Sequence, residues 1–308
     1  MTNDSMPTAS VILAAWNRKT EVILTLAELC KLQKDVEIIV VDNGSSDGTS
    51  EAVKEQFPRA RLIPLASNIG MPAYNIGAGY ARAPILVMVD DDSTVSENVV
   101  EVSKEWFDKS PEVGVIAFEV VVPSTSEVVT RDLRGEIVEF WGCGFAIRRD
   151  VWRELDGFDN DFFLYVNEHD LAIRAWDRGY RVIMEPRIRT FHRISSANRI
   201  SGRFIEYSIM NNVQLVLKDI PRKYWLRCLI PMLITWAVRA ILTRQFGSLL
   251  SGCSRTLVNL RHFLMKYEPV RDEVAKIYIE RYKLYEWPWT KMVRKSKEGF
   301  HWLKPSYR

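Results

Sequence analysis

Four short apolar runs, at residues 9–15, 36–41, 61–65 and 85–89, alternate with stretches of helical spacing, and this alternation constrains the fold more than any other feature. Ala9-Ser10-Val11-Ile12-Leu13-Ala14-Ala15 and Glu37-Ile38-Ile39-Val40-Val41 are nearly continuous in apolar residues. Runs of that kind are buried on both faces, as in a parallel sheet covered by helices. Between them, Val22, Leu26 and Leu29 share one helical face within residues 19–32. Residues 50–56 and 71–81 read as two further helices. The βαβαβαβ order predicts an α/β chain with a doubly wound, mainly parallel sheet. Strands are also expected at 113–122, 140–147 and 181–184, and a helix at 171–178. From about Ser201 the pattern changes to helices rich in Arg, Trp and Tyr, so the chain divides into residues 1–200 and a helical region, 201–308.

The fourth run, Ile85-Leu86-Val87-Met88-Val89, ends in Asp90-Asp91-Asp92. Three adjacent acids at the end of a buried strand repel one another, and desolvation makes that worse. A cation would relieve both effects, and the carboxyl edge of an open α/β sheet is where ligands bind. Hard oxygen donors suit Mg²⁺ or Mn²⁺, often bridged to substrate phosphates. The plainer alternative is an acidic turn in which Asp92 or Ser93 caps the next helix.

Composition excludes several classes. The chain has 308 residues, 47% hydrophobic, with a net charge of +3, which is ordinary for a globular protein and a poor fit to nucleic-acid binding. Cys30, Cys143, Cys228 and Cys253 have neither zinc nor redox spacing. Reduced thiols and a cytoplasmic location follow, and the N-terminus shows no signal-peptide pattern. The longest apolar stretch, 228–238, lies between Arg227 and Arg239, contains Pro231 and falls short of a spanning helix; a buried or interfacial helix is expected. Tyr224, Trp225, Trp236, Trp287, Trp289 and Trp302 interleave with basic residues. Residues 291–308 hold Lys291, Arg294, Lys295, Lys297, Lys304 and Arg308 against Glu298 alone. An anchor on an anionic membrane surface fits this pattern, and so does a helical bundle packed on the α/β region.

Other segments carry further candidates. Val41-Asp42-Asn43-Gly44-Ser45-Ser46-Asp47-Gly48-Thr49 sets a carboxylate at a strand end before a polar turn. That suits nucleobase N–H or ribose hydroxyls, although Asn-Gly and Asp-Gly are also plain turn dipeptides. Asn68, Gly70, Asn75 and Gly77 place small residues and amides at a helix start. Trp141-Gly142-Cys143-Gly144 leads to Gly157-Phe158-Asp159, then to Phe162, Phe163 and Asn167-Glu168-His169-Asp170-Leu171. Glu168 and Asp170 sit just before a helix whose amides favour anions; Asp170 also stands at i,i+4 spacing from Arg174. His192 is either a metal ligand or a satisfied surface histidine.

In this order the segments resemble the family two nucleotide-sugar glycosyltransferases of the GT-A fold, over about residues 9–195, with bacterial rhamnosyltransferases the most similar members. The resemblance implies an inverting transferase using Mg²⁺ or Mn²⁺, held by Asp90, Asp92 and His192. It implies a donor site at Ala15, Asn17, Arg18, Asp42, Asn43, Ser45, Asn68, Gly70, Asn75, Asp90 and Asp91, for a dTDP- or UDP-linked sugar. It implies an acceptor side at Trp141, Gly142 and the Phe162/Phe163 pair, for a glycan or lipid-linked acceptor in cell-surface polysaccharide synthesis. The family's catalytic segment usually reads Glu-Asp-x-Asp-Leu, so the base position falls on Glu168 while Asn167 replaces the preceding Glu. The choice between Glu168 and Asp170 stays open on sequence alone. A nucleotidyltransferase would open with a Gly-rich phosphate loop, which residues 13–18 lack; a non-catalytic binding protein would not need both intact acidic pairs.

Overall fold

A computed structural model describes residues 6–130, 133–194 and 202–282. The chain forms two compact units, one of Met1–Phe163 with Arg178–Asn198, the other of Leu164–Asp177 with Arg199–Arg308.

The first unit is built on a mixed sheet. Its strands are β1 (Ala9–Ala15), β2 (Val36–Asp42), β3 (Ala60–Pro64), β4 (Ile85–Asp90), β5 (Ser93–Val95), β6 (Val113–Val122), β7 (Glu127–Val128), β8 (Gly135–Glu136), β9 (Gly144–Arg148) and β10 (Arg181–His192). The main path runs β3-β2-β1-β4-β9-β6-β10-β5. The first four are parallel and joined by α1 (Lys19–Leu29), α2 (Thr49–Gln56) and α3 (Ala73–Tyr80). Val11, Ile12 and Leu13 are wholly buried, as a strand covered on both faces requires. In register, Ala15 lies opposite Asp42 and Ala14 opposite Asp90, so the acidic strand ends share one edge.

Beyond β4 the sheet departs from the simple alternation. The expected strand at 140–147 is β9, which begins only at Gly144 and runs antiparallel to both β4 and β6. A side chain at Gly144 would meet the Thr190 hydroxyl at 2.0 Å, so only hydrogen fits there. The expected strand at 181–184 continues as β10 to His192. Its pairing with β6 is parallel and shifts register between Glu185 and Arg189, around Pro186, which has no N–H to donate. The last residues of β10 pair antiparallel with β5, setting His192 opposite Ser93. Helices α4 (Val99–Lys109) and α5 (Arg149–Glu154) complete this unit.

The second unit contains α6 (Asn167–Asp177), α7 (Arg203–Asp219), α8 (Trp225–Leu242), α9 (Phe246–Met265) and α10 (Asp272–Tyr282). Met210, Val213 and Leu217 of α7 pack with Met232 of α8 and Phe263 of α9. Ile205, Ile209 and Ala240 form a second cluster. The apolar run around Pro231 is longer than its flanking arginines suggest. Helix continues through both, and residues 222–242 form one helix long and apolar enough to cross a membrane, most of it not buried in the protein. Pro231 forfeits a backbone N–H without ending the helix, and the Thr235 hydroxyl donates 2.7 Å back to its carbonyl. The tail with Trp287, Trp289, Trp302 and residues 291–308 lies outside the described residues.

Candidate active site

The carboxyl edge of β1, β2 and β4 gathers most of the sequence candidates. Asp42 closes β2 and is 2% exposed. Its Oδ1 accepts the Ser45 N–H at 3.0 Å, and its Oδ2 accepts the Ser50 hydroxyl. A carboxylate has about four acceptor positions, so Asp42 orders its turn with capacity remaining. The Asn43 N–H donates to the Ala15 carbonyl at 2.8 Å. The Asn43 side chain donates to the Gly70 carbonyl at 3.0 Å and accepts the Ile69 N–H at 2.8 Å. Asn17 adopts a positive φ of 52°. From there its N–H reaches the Ser45 hydroxyl (2.9 Å) and its side-chain carbonyl accepts the Ser46 N–H (2.7 Å). These bonds make one cradle from the β1, β2 and 68–70 loops.

Gly70 explains why that cradle holds together. Its φ is +72°, and a Cβ there would stand 2.1 Å from the Phe163 carbonyl oxygen. The same carbonyl accepts the Met71 N–H at 2.9 Å. Asn68 accepts the Gly70 N–H at 2.8 Å. Asn75 works further back: its side chain donates to the Phe158 carbonyl at 2.7 Å and accepts the Phe158 N–H at 2.9 Å, fixing the Gly157-Phe158 turn. Phe162 is wholly buried and belongs to the core rather than to an acceptor surface; Phe163, Trp141 and Gly142 are half-buried.

The aspartate triplet divides its work. Ligand atoms of Asp90, Asp92 and His192 all lie within 4.8 Å of one another. His192 Nε2 is 3.1 Å from Asp92 Oδ1. Asp91 and Asp92 receive the Arg18 guanidinium at 2.6 and 2.8 Å. The Asp91 carbonyl accepts the Thr25 hydroxyl at 2.7 Å. Burial, then Asp92, pushes Asp90 above the usual carboxylate range against the pull of His192 and Arg18. Burial lifts Asp91 well above it; Arg18 opposes, Asp92 and Asp90 add. Two carboxylates and an imidazole this close, each buried or nearly so, are a hard donor set that fits Mg²⁺ or Mn²⁺.

Some residues at this edge carry no local sequence signal. The Tyr74 hydroxyl lies 2.9 Å from the Val89 carbonyl and 3.2 Å from Asp90 Oδ1. Arg193 joins its guanidinium to Glu21 (2.9 Å) and Thr25 (2.6 Å), while its N–H donates to the Asp92 carbonyl at 3.0 Å. Both depend on partners far along the chain. A separate cleft of about 510 Å³, lined in part by Lys104, Arg148 and Arg149, lies at the amino ends of β1 and β4 and has none of these residues.

In the second unit, the acidic pair falls in the first turn of α6, which starts at Asn167 rather than at the expected 171. Asp170 is wholly buried. Its Oδ2 accepts Arg174 Nε at 2.9 Å and Nη2 at 2.5 Å, and its Oδ1 accepts Lys218 Nζ. Burial alone would raise its pKa; Arg174 and Lys218 outweigh that and hold it below the usual range. Burial drives the neighbouring Asp219 well above that range, with Asp170 adding to it against Lys218. The two shifts run in opposite directions: the cations favour the ionised form of Asp170, and burial beside it disfavours the ionised form of Asp219. Glu168 is half-buried, in contrast to the wholly buried Asp170.

The turn into α6 is strained. Tyr165 and Val166 take φ of 65° and 66°, which costs about 1–3 kcal/mol for each residue. Asn211, buried on α7, donates its amide to the Leu164 and Tyr165 carbonyls at 2.7 and 2.9 Å. The Val166 carbonyl accepts the His169 and Asp170 N–H groups, both at 3.1 Å.

Residues 10–171 match the family described as glycosyl transferase family 2. The chain belongs to that family. This glycosyltransferase is 21% identical over 206 residues to the N-acetylglucosaminyl-diphospho-decaprenol L-rhamnosyltransferase of Mycobacterium tuberculosis, covering 52% of the chain and 67% of the relative. It is 24% identical over 250 residues to the probable glycosyltransferase YdaM of Bacillus subtilis, over 72% of the chain and 59% of that relative. The enzyme shares its fold with the mannosyltransferase PcManGT of Pyrobaculum calidifontis, solved with GDP-Man and Mn²⁺: TM-score 0.58, 18% identity, 98% of this chain and 89% of that one. It shares it also with Staphylococcus aureus TarS 1–349, solved with UDP-GlcNAc: TM-score 0.58, 14% identity, 96% and 93% of the two chains. The large central sheet with C-terminal helices is the GT-A fold.

Proposed function

We propose that this glycosyltransferase is inverting and metal-dependent, and moves rhamnose or another deoxyhexose from a dTDP- or UDP-linked donor to a glycan or lipid-linked acceptor in cell-surface polysaccharide synthesis. The convergence of Asp90, Asp92 and His192 at the strand edge beside Asp42 carries the reading. The rhamnosyltransferase relative supports the sugar class and the lipid-linked acceptor.

Asp42, with the Asn17, Asn43 and Ser45 turn it orders, binds the pyrimidine and ribose; Arg18 and Asp91 brace the triplet. Asp90, Asp92 and His192 would hold Mg²⁺ or Mn²⁺, which supplies Lewis-acid stabilisation of the diphosphate leaving group. Glu168 takes the proton of the acceptor hydroxyl as that oxygen bonds to the anomeric carbon and the bond to the diphosphate breaks. The buried ion pairs that hold both Asp170 oxygens favour Glu168 over Asp170 for this role. Trp141, Gly142 and Phe163 face the acceptor sugar. The enzyme works on the cytoplasmic side, where nucleotide sugars are made.

A panel of nucleotide sugars with purified enzyme tests this. A dTDP- or UDP-sugar should be consumed, with loss of turnover on chelation and recovery with Mn²⁺ or Mg²⁺. Asp92→Asn should abolish turnover in a folded protein. Preference for a purine-nucleotide donor, or turnover unchanged by a chelator, would overturn the reading.

A further inference from the structure

Helices α8 and α9 each expose an aliphatic stripe that nothing among the described residues covers. On α8 it comprises Leu226, Ile230, Leu233, Ile234 and Ile241, spaced by three, four and seven residues, so it lies along one face. The opposite face is spoken for: Cys228, Met232, Thr235 and Ala240 are buried. On α9 the stripe is Phe246, Leu250, Leu257 and Leu264, with Leu250 and Leu257 each 70% exposed and Phe263 turned into the core. Two neighbouring helices with apolar faces left to water form a patch of the kind that marks an interaction surface.

The charge pattern selects the partner. Residues 220–267 contain eight Lys or Arg and no Asp or Glu. Among them, Lys223 pairs with Asp272 and Arg255 with Glu206. A second copy docked by a two-fold axis would bring this basic stretch, with its eight Lys or Arg and no acid of its own, against itself, with like charges facing. A bilayer carrying anionic headgroups answers both features at once: acyl chains take the aliphatic stripes and headgroups take the basic rim.

We propose that the α8–α9 face is a membrane-docking surface, lying in the headgroup layer of an anionic bilayer. It sharpens the lipid-linked acceptor reading above and rests on it only for its biological purpose, because docking needs neither donor nor acceptor. The face lies on the membrane and does not cross it. Helix α8 is long enough to span, but its packing against Met210, Val213 and Phe263 commits one side to protein.

Flotation of the full chain with vesicles, without donor or acceptor, tests the surface apart from the activity. The chain should bind phosphatidylglycerol-containing vesicles at low salt, release with rising salt, and leave pure phosphatidylcholine vesicles unbound. Leu226→Glu with Ile230→Glu should weaken binding on the order of tenfold or more, while Leu24→Glu on exposed α1 should not. Because a double variant can misfold, a polarity-sensitive fluorophore on the exposed Cys253 of α9 gives a second reading in the unsubstituted chain; its emission should shift to the blue with anionic vesicles. Binding untouched by the α8 substitutions, no shift at Cys253, resistance to alkaline carbonate extraction, or self-association abolished by the same substitutions would each overturn the proposal. Failure of donor turnover alongside intact binding would sink the catalytic reading and leave this one standing.

Discussion

At the residue scale, burial separates two acids that stand two positions apart. Glu168→Gln should reduce transfer on the order of a hundredfold or more, with donor affinity near wild type, measured by product formation and nucleotide binding together. Asp170→Asn should act on stability instead, since it leaves Lys218 and Arg174 without their buried counter-charge, at about 3–5 kcal/mol. The sign of its pH dependence follows from a depressed folded pKa. The ionised Asp170 contributes above the unfolded value of about 3.9, and that contribution is lost as pH falls through the folded one. Asp219 is raised instead, so its penalty grows as pH climbs above the same unfolded value. Asp219→Asn should therefore be neutral near pH 3 and relatively stabilising near pH 7, while the Asp170→Asn deficit is largest near pH 7. Denaturation midpoints across pH, with slopes of the same sign for both variants, would contradict these opposite shifts. The Asp170–Arg174 pairing was legible from its i,i+4 spacing; its burial and its third member were not. An Asp and an Arg at i,i+4 look the same on a solvated helix, and Lys218 is 48 residues away.

At the scale of elements, the parallel half of the sheet was readable because strands buried on both faces must be apolar throughout. β9 was less so, because direction is not encoded in a strand's composition, and four residues expected to extend it form the turn before Gly144. β10 was truncated in the reading since Pro186, Arg187 and Arg189 break the apolar run, yet a register shift carries the strand on to His192. The metal-type cluster depends on that extension, so its members were recognisable singly and their meeting was not. The turn into α6 has no glycine or proline to announce two left-handed residues; Asn211 holds it from another helix. Asn211→Ala removes the amide that bonds the Leu164 and Tyr165 carbonyls, at about 0.5–1.5 kcal/mol for each bond. It should lower kcat with little change in the donor KM, because the first turn of α6 carries Glu168. An equal loss in both constants, or a lowered melting temperature alone, would count against that positioning role. Gly70→Ala, with a positive φ and a backbone oxygen in its way, should lose roughly 2–5 kcal/mol by chemical denaturation.

For the whole molecule, the modest net charge conceals a contrast. The overall value is +3 while residues 220–267 carry +8, leaving −5 for the rest. Long-range fields of that kind orient approach to a charged surface and decay with ionic strength, so the rate of vesicle association should fall steeply as salt rises, as stopped-flow mixing would show. The division into units also has a consequence in time. Helix α6 belongs with α7 to α10, although strands of the other unit flank it in the chain. During synthesis at about 5–20 residues per second, the Asp170 segment emerges from the ribosome seconds before Asn211 and Lys218 emerge. Until then it has neither its counter-charge nor the amide that holds its entry turn. The nascent chain thus carries an unfinished helix between two stretches of sheet already able to fold, and a polypeptide stopped near residue 200 keeps it unfinished. Translation pauses after residue 177 would prolong that exposure, making the interval before α7 emerges the window in which proteases and chaperones compete for this chain.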